Sequence, residues 1–493
     1  MDGLLAARDC ADAADMVELR LDGVADVNVD AALAGRRLPA VVTCRPAWEG
    51  GQYRGSEPER CAMLARALAQ GAEYVDVEWR AVRERSAGFD ELVAAHPDRI
   101  VVSEHDFDGV PPDLADRVRA MRQTGAAVVK VAVVARRLSD SLPLIDVARD
   151  GDAIVIGMGD AGLPTRLLAA RFGSRWTYGG NGVAPGQVPA RSMVERFRFR
   201  DVGKDTAIYG VVGANVMHSV SPAMHNAAFS AAGIDAVHVP LRAADFADFL
   251  TFAAALGVAG ASVTIPFKLD ALAAAASADE LTRKVGAANT LRKSPITSRE
   301  WDATNTDVEG FLEPLDAALE ADLKVGPCND LRVAVLGAGG AARAVAVALA
   351  SRGARVTVHA RREAQALQLA DQAHVASGSS WKIAAAPMPP ARGSWDLLVN
   401  CTPLGSAAAR HESPLPGGPF DGRLVYDLTY GPAESPLVRD AKRAGCATLD
   451  GLPMLIAQAE RQFAWWTGTR APEGVMRAAA LAATGHSVAR VSD

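Results

Sequence analysis

Up to Ala190, apolar residues come in short unbroken runs separated by longer stretches of helical spacing. The clearest run is Val128-Val129-Lys130-Val131-Ala132-Val133-Val134. β-Branched and small apolar residues without alternation are the pattern of a strand buried on both faces of a parallel sheet. Comparable runs predict strands over Met16–Leu21, Ala40–Arg45, Tyr74–Trp79, Ile100–His105, Val128–Val133, Ala153–Met158 and Trp176–Gly179. Glu57–Gln70 and Pro112–Thr124 have the length and spacing of intervening helices. Strand-helix alternation means a parallel sheet, doubly wound or closed as a barrel. Charged residues fall on or at the ends of the strands: Glu18, Arg20, Arg45, Glu78, His105 and Lys130. Active sites of (β/α)8 barrels gather at the C-terminal strand ends, which favours the barrel. It is one strand short of eight, because Asp2–Ala14 reads as a helix and nothing apolar precedes it.

A second alternation starts at Thr206, with strands expected over Ala207–Val212, Ala236–Pro240 and Ala259–Ile265. Arg292–Ala303 reads as a loop or hairpin, Val308–Leu323 as a helix, and Gly326-Pro327 as a break. Arg332–Leu336 opens a third unit, and Ala441–Ala483 is largely helical. The division expected is a barrel at 1–200, a second α/β domain at 205–325 and a cofactor domain at 326–440. Helices at 441–485 return to the second domain.

Length and composition narrow the class. A chain of 493 residues exceeds one hydrophobic core. Its net charge of −6 and absence of basic runs argue against nucleic acid. No uncharged apolar stretch approaches the length of a membrane span. The acidic start, with Arg8 its only basic residue before Met16, lacks the basic region of a signal peptide or an Arg/Ser-rich transit segment. The six cysteines are scattered without C-x-x-C spacing, so neither a disulfide framework nor a metal site is expected. A cytoplasmic protein acting on small molecules is the expectation.

Lys130 carries the first candidate chemistry. An unpaired ammonium inside a valine run sheds its proton, and a neutral buried amine suits Schiff-base attack on a carbonyl. The alternative is that its charge reaches a carboxylate at the strand end. His105 ends the neighbouring strand, so an imidazole base and an amine would share one mouth.

Here the chain resembles type I 3-dehydroquinate dehydratase. The residues that carry it are Val17-Glu18-Leu19-Arg20-Leu21-Asp22, Thr43-Cys44-Arg45, Asp76-Val77-Glu78, Ser103-x-His105-Asp106-Phe107 and Val129-Lys130-Val131-Ala132. They continue through Leu163-Pro164-Thr165-Arg166, Phe172-Gly173-Ser174 and Ala184-Pro185-Gly186-Gln187. The resemblance implies that Lys130 forms an imine with 3-dehydroquinate, that His105 is the acid/base and that Glu78 orients it. It also implies that Glu18, Arg20, Arg45, Arg166 and Gln187 hold the carboxylate and hydroxyls. Val183 stands where the family often has serine.

The second half offers hydride transfer. Val333 to Arg343 is strand, glycine turn (Gly337, Gly339, Gly340, Ala341) and helix, a pyrophosphate-binding pattern. The next strand, Arg355–His359, ends in Ala360-Arg361-Arg362; arginines there suit the 2′-phosphate of NADP rather than NAD. Lys268 and Asp307 are a candidate proton-transfer pair. This half resembles shikimate dehydrogenase through Ser219-Val220-Ser221-Pro222, Thr264-Ile265-Pro266-Phe267-Lys268, Ala288-Asn289-Thr290, Asn305-Thr306-Asp307, Val399–Gly405, Tyr426–Tyr430 and Asp450–Gln458. The resemblance implies that Ser219 and Ser221 bind the shikimate carboxylate and that Lys268 and Asp307 are catalytic. Thr264, Asn289, Tyr430 and Gln458 would line the pocket, with NADPH as cofactor. Ser262 replaces the usual asparagine. Together the halves resemble the fused enzyme of plants, in which the product of the first site, 3-dehydroshikimate, feeds the second. A quinate/shikimate dehydrogenase with an impaired dehydratase half and a non-catalytic quinate-pathway sensor are the rivals. A sensor should have lost Lys130, His105, Lys268 and Asp307, and all four are present.

Overall fold

The computed structural model describes residues 1–180, 186–297, 299–320, 328–406 and 409–485. Two compact units result: Met1–Thr206 with Leu241–Leu256, and Ala207–Pro240 with Gly257–Asp493.

The first unit is a curled parallel sheet in the simple order β1 (Val17–Arg20), β2 (Ala40–Thr43), β3 (Tyr74–Glu78), β4 (Ile100–Asp106), β5 (Val128–Val134) and β6 (Ala153–Met158). The valine-rich runs fold this way because both faces are covered: Val75, Val77, Val102, Val129, Val131 and Val155 belong to one core, and Val101, Val128, Ile154 and Ile156 to another. The expected strand at Trp176–Gly179 does not form, so the described sheet has six strands and two edges, β1 and β6. Arg175 N bonds Ala153 O at 2.9 Å, but the chain then leaves that register as Trp176 packs on Tyr74. A strand needs successive ladder bonds, and Gly180 N instead turns to Val188 O. Helix Phe246–Leu256 joins this unit, where buried Asp248 accepts the N–H groups of Leu138 and Ser139, both at 2.9 Å.

The second unit holds two sheets. One runs β10 (Ser277–Ala278), β12 (Trp301–Thr304), β11 (Thr290–Lys293), β9 (Gly260–Val263), β7 (Ala207–Gly213), β8 (Ala236–Arg242). Of the two readings open for Arg292–Ala303, the hairpin forms, as antiparallel β11 and β12. The other sheet is parallel, ordered β15 (Ala384–Ala386), β14 (Arg355–His359), β13 (Arg332–Leu336), β16 (Leu397–Asn400), β17 (Leu424–Asp427), β18 (Ala447–Leu449). Its order reverses between β13 and β16, the crevice where doubly wound sheets take dinucleotides. Strand β18 lies in the stretch expected to be helical. No helix among the described residues is long and apolar enough to cross a membrane. Val183 and the Gly326-Pro327 break lie outside the described residues.

Candidate active sites

Strand periodicity aims Asp76 and Glu78 to the same interior face of β3. Pairing of β3 with β4 and of β4 with β5 sets Glu78 beside Ser103, and Ser103 beside Lys130. A cavity of about 780 Å³ opens over these strand ends, lined by Glu18, Arg20, Arg45, Glu49, His105, Lys130, Arg166, Tyr178 and Gln187, among others.

Lys130 is buried but not unpaired. Its Nζ is 3.0 Å from Asp76 Oδ2, 3.7 Å from Glu18 Oε1 and 4.4 Å from the centre of the Tyr178 ring. Burial works against the ammonium, but Asp76, Tyr178 and Glu18 outweigh it and hold Lys130 above the ordinary lysine range. Of the two readings open for Lys130, the paired one holds: its charge reaches a carboxylate, Asp76.

The carboxylate on His105 is Glu49, not Glu78. Glu49 Oε1 accepts the His105 backbone N–H and meets ring Nδ1, both at 3.0 Å. Glu78 is instead closed off between Arg45, at 2.8 Å, and Arg60, whose guanidinium lies over Phe89. Burial, with the Arg45 and Lys130 cations, pushes His105 well below its ordinary value, so the ring is neutral. Burial raises Glu49 to about 8 against the pull of Arg45, with Glu78 and Asp76 adding to the rise. Nδ1 is thus engaged by Glu49, and Nε2 has no protein partner among the described residues.

The three arginines expected to hold substrate differ in what they have left to give. Arg45 spends its donors on Asp76, Glu78 and Ser103. Arg20 makes a two-point pair with Asp22, both contacts at 2.9 Å. Arg166, only 2% exposed, gives one bond to Tyr178 O at 3.0 Å and leaves Nε buried without a partner among the described residues. With no carboxylate beside it among the described residues, burial lowers its pKa to about 10. A buried guanidinium with donors to spare suits a carboxylate. Glu18 accepts Thr43 Oγ1 at 2.8 Å at the same mouth.

In the second unit Lys268 Nζ lies 2.6 Å from Asp307 Oδ2, and Asn289 Nδ2 donates to the other oxygen at 2.7 Å. Asp307 opens helix Asp307–Ala318, whose N-terminus favours the carboxylate. Asn289 also reaches Thr306 Oγ1 at 2.9 Å and Gln458 Oε1 at 3.5 Å. Thr264 follows β9 directly, and Ser219 Oγ accepts the Ser221 N–H at 3.2 Å. Tyr430 follows β17 and is half-buried. Ser262, in the asparagine position, joins a buried network: its hydroxyl donates to Gln462 Oε1 at 2.8 Å, and His238 Nε2 lies 3.3 Å away. Gln462 in turn holds Thr290 and the Asn289 carbonyl.

The glycine turn after β13 fits a dinucleotide. Gly337 has φ +109°, and a Cβ there would press on the Cys401 backbone at 3.3 Å. A Cβ on Gly340 would come within 3.1 Å of Lys268 Cδ, so the turn passes close to the proton-transfer pair. Gly339 and Ala341 flank the start of helix Gly340–Ser351, whose free N-terminal amides suit an anion. Arg361 and Arg362 are exposed just beyond β14, where a 2′-phosphate would lie.

Sequence reasoning missed Glu49, Asp76, Asp22, Ser103 and Tyr178. Signals existed for two of them. Asp76 shares a strand face with Glu78 in an otherwise valine-bound strand and so demanded cations. Glu49 stands four residues after Arg45.

A family model for type I 3-dehydroquinase matches residues 2–204, one for the shikimate dehydrogenase substrate binding domain residues 211–291, and one for the shikimate 5′-dehydrogenase C-terminal domain residues 451–481. The bifunctional 3-dehydroquinate dehydratase/shikimate dehydrogenase of Arabidopsis thaliana, named as chloroplastic, is 32% identical over 93% of this chain and 79% of that protein. The shikimate dehydrogenase (NADP(+)) of Moorella thermoacetica is 37% identical over 56% of this chain and 92% of its own length. A crystal structure of a shikimate dehydrogenase in complex with NADP+ superposes with a TM-score of 0.51 at 30% identity, over 57% of this chain and 96% of that one.

Proposed function

The chain belongs to the fused type I 3-dehydroquinate dehydratase–shikimate dehydrogenase family, and on that footing we propose how its residues carry the two reactions. It is a two-activity enzyme of the shikimate pathway: a lyase that converts 3-dehydroquinate to 3-dehydroshikimate and an NADP-dependent oxidoreductase that reduces the product to shikimate. The domains run 1–200, 205–325 and 326–440, with 441–485 returning to the second, and the enzyme works in the cytoplasm on small molecules.

In the first site neutral Lys130 Nζ adds to the substrate carbonyl carbon, and the carbinolamine loses water to leave an iminium. His105 Nε2 takes the proton from the neighbouring carbon; the C–H pair becomes a C=C bond and the C=N π pair moves onto nitrogen, giving an enamine. The pair returns to expel the β-hydroxyl, which takes the imidazolium proton and departs as water. Water then hydrolyses the iminium, freeing product and Lys130. Glu49, not Glu78, orients the ring. Arg166 binds the substrate carboxylate, while Glu18, Arg20, Arg45 and Gln187 line the hydroxyl side.

In the second site NADPH, when bound, supplies the hydride. Gly337, Gly339, Gly340 and Ala341 hold its pyrophosphate, and Arg361 with Arg362 its 2′-phosphate. The Lys268 ammonium gives the proton to the developing alkoxide, held in place by Asp307. Ser219 and Ser221 take the carboxylate, with Thr264, Asn289, Tyr430 and Gln458 around the ring.

The observation that carries the reading is the convergence of Lys130, His105 and an idle Arg166 on one cavity. Purified protein given 3-dehydroquinate and NADPH should show enone absorbance rising and NADPH falling. Borohydride added during turnover should leave an adduct on Lys130, and full dehydratase activity in Lys130→Ala would overturn the lysine's role.

A further inference from the structure

Asp76 has no part in the steps above, yet it touches the reacting atom. It sits on β3, two strands from Lys130, and both side chains point into the sheet's interior face, where Asp76 Oδ2 lies 3.0 Å from Nζ. Its other oxygen accepts from Arg45 at 2.9 Å and from the Ser103 hydroxyl. The carboxylate is fully buried, so water does not screen it, and its two other donors fix its position.

We propose that Asp76 is a further catalytic residue, the counter-ion that accompanies the Lys130 nitrogen through the covalent cycle, as ammonium before substrate arrives and as iminium afterwards. This rests on Lys130 being the imine-forming lysine. Nζ stays tethered to β5 when the imine forms, only its substituent changes, and the iminium keeps one N–H. Among the described residues Asp76 is the closest acceptor for it. Glu18, at 3.7 Å, is more exposed and is shared with Thr43. Among the other groups facing the nitrogen, Tyr178 offers its ring face, Arg45 opposes the charge, and His105 is neutral.

The consequence is a trade between steps. A neutral imine is a poor electron sink, so Asp76 speeds removal of the α-proton by keeping the C=N bond cationic. The same carboxylate holds the resting lysine charged and makes the first addition wait on a small neutral fraction. Removing its charge must therefore move the two steps in opposite directions, which loss of packing alone would not do.

Reductive methylation of the full-length chain with formaldehyde and cyanoborohydride, read by peptide mass, reports the neutral fraction of Lys130. In Asp76→Asn the labelling rate at neutral pH should rise about tenfold or more, since a nearby charge moves a pKa by about 1 to 3 and each step of one is tenfold. Dehydratase kcat should fall by about tenfold or more in the same protein, with dehydrogenase activity unchanged. Ser103→Ala leaves Asp76 charged but with one donor fewer, so its oxygen holds the lysine proton more tightly and labelling should slow. Labelling that is unchanged in Asp76→Asn, that moves the same way in both variants, or that rises while kcat is kept overturns the proposal. Should Asp76→Asn fail to fold, Ser103→Ala decides: no slowing overturns it. If borohydride fails to trap substrate on wild-type Lys130, the assignment of the lysine falls instead, and the two failures are distinguishable.

Discussion

Arg166 should cost the protein stability that its substrate gives back. Its guanidinium is 2% exposed and, among the described residues, has one carbonyl partner and faces no carboxylate. The fall of its pKa to about 10 corresponds to about 3 kcal/mol against the charged form, at about 1.4 kcal/mol per tenfold. Arg166→Met removes that penalty with a side chain of comparable length, but it also forfeits the bond to Tyr178 O, worth about 1.5 kcal/mol. The net gain is about 1–2 kcal/mol, or roughly 2–8 °C in the melting of a unit of this size. The sign with pH follows. A cation whose folded pKa is depressed is penalised wherever it is charged, so the gain is full at neutral pH and fades as pH rises through about 10. The same substitution removes the carboxylate anchor. Calorimetry with 3-dehydroshikimate, alongside thermal unfolding of the dehydratase half, should show a more stable protein that no longer gains from the ligand. A variant that melts lower than the parent and binds ligand as before would refute the reasoning.

Three other outcomes are expected. In Glu49→Gln the advantage over the parent should grow with pH, because the parent's carboxyl, raised to about 8, contributes stability below the usual carboxylate range and loses it as pH rises to about 8; melting temperatures of the two proteins between pH 5 and 9 check this. Lys268→Met or Asp307→Asn should lower shikimate oxidation by about 10²–10⁴-fold, as loss of a positioned proton donor does, while enone formation from 3-dehydroquinate continues. Arg361→Ala should raise KM for NADPH about tenfold or more and leave NADH use nearly unchanged, the signature of a contact to a phosphate that one cofactor carries; equal damage with both cofactors would make the arginine structural.

Much of both sites is legible in the sequence. Lys130 stood out because a charge inside a valine run must either be shed or meet a carboxylate, and Lys268 and Asp307 because polar residues punctuated an apolar domain. The glycine turn between Leu336 and Ala341 was legible because only glycine tolerates that close approach. What went wrong was partnership. The family resemblance implies Glu78 as the partner of His105, whereas the loop after β2 folds back through the Pro46–Tyr53 bridge and brings Glu49 to the ring. Trp176–Gly179 had the apolar character of a strand and found no continuous ladder, because pairing depends on where the neighbouring backbone lies.

Strand and helix positions, the parallel arrangement and the residue types at the two mouths follow from local sequence, because hydrophobic periodicity and backbone sterics act over a few residues. The protonation state of each reactive group does not. Lys130 is charged because Asp76, 54 positions away in sequence, lies within hydrogen-bond reach of it. His105 is neutral because Arg45 and Lys130 crowd it in a buried site. Arg166 is primed for an anion because no carboxylate among the described residues pairs with it. Electrostatic energy depends on distance and dielectric between groups far apart in sequence, and only the folded chain sets both.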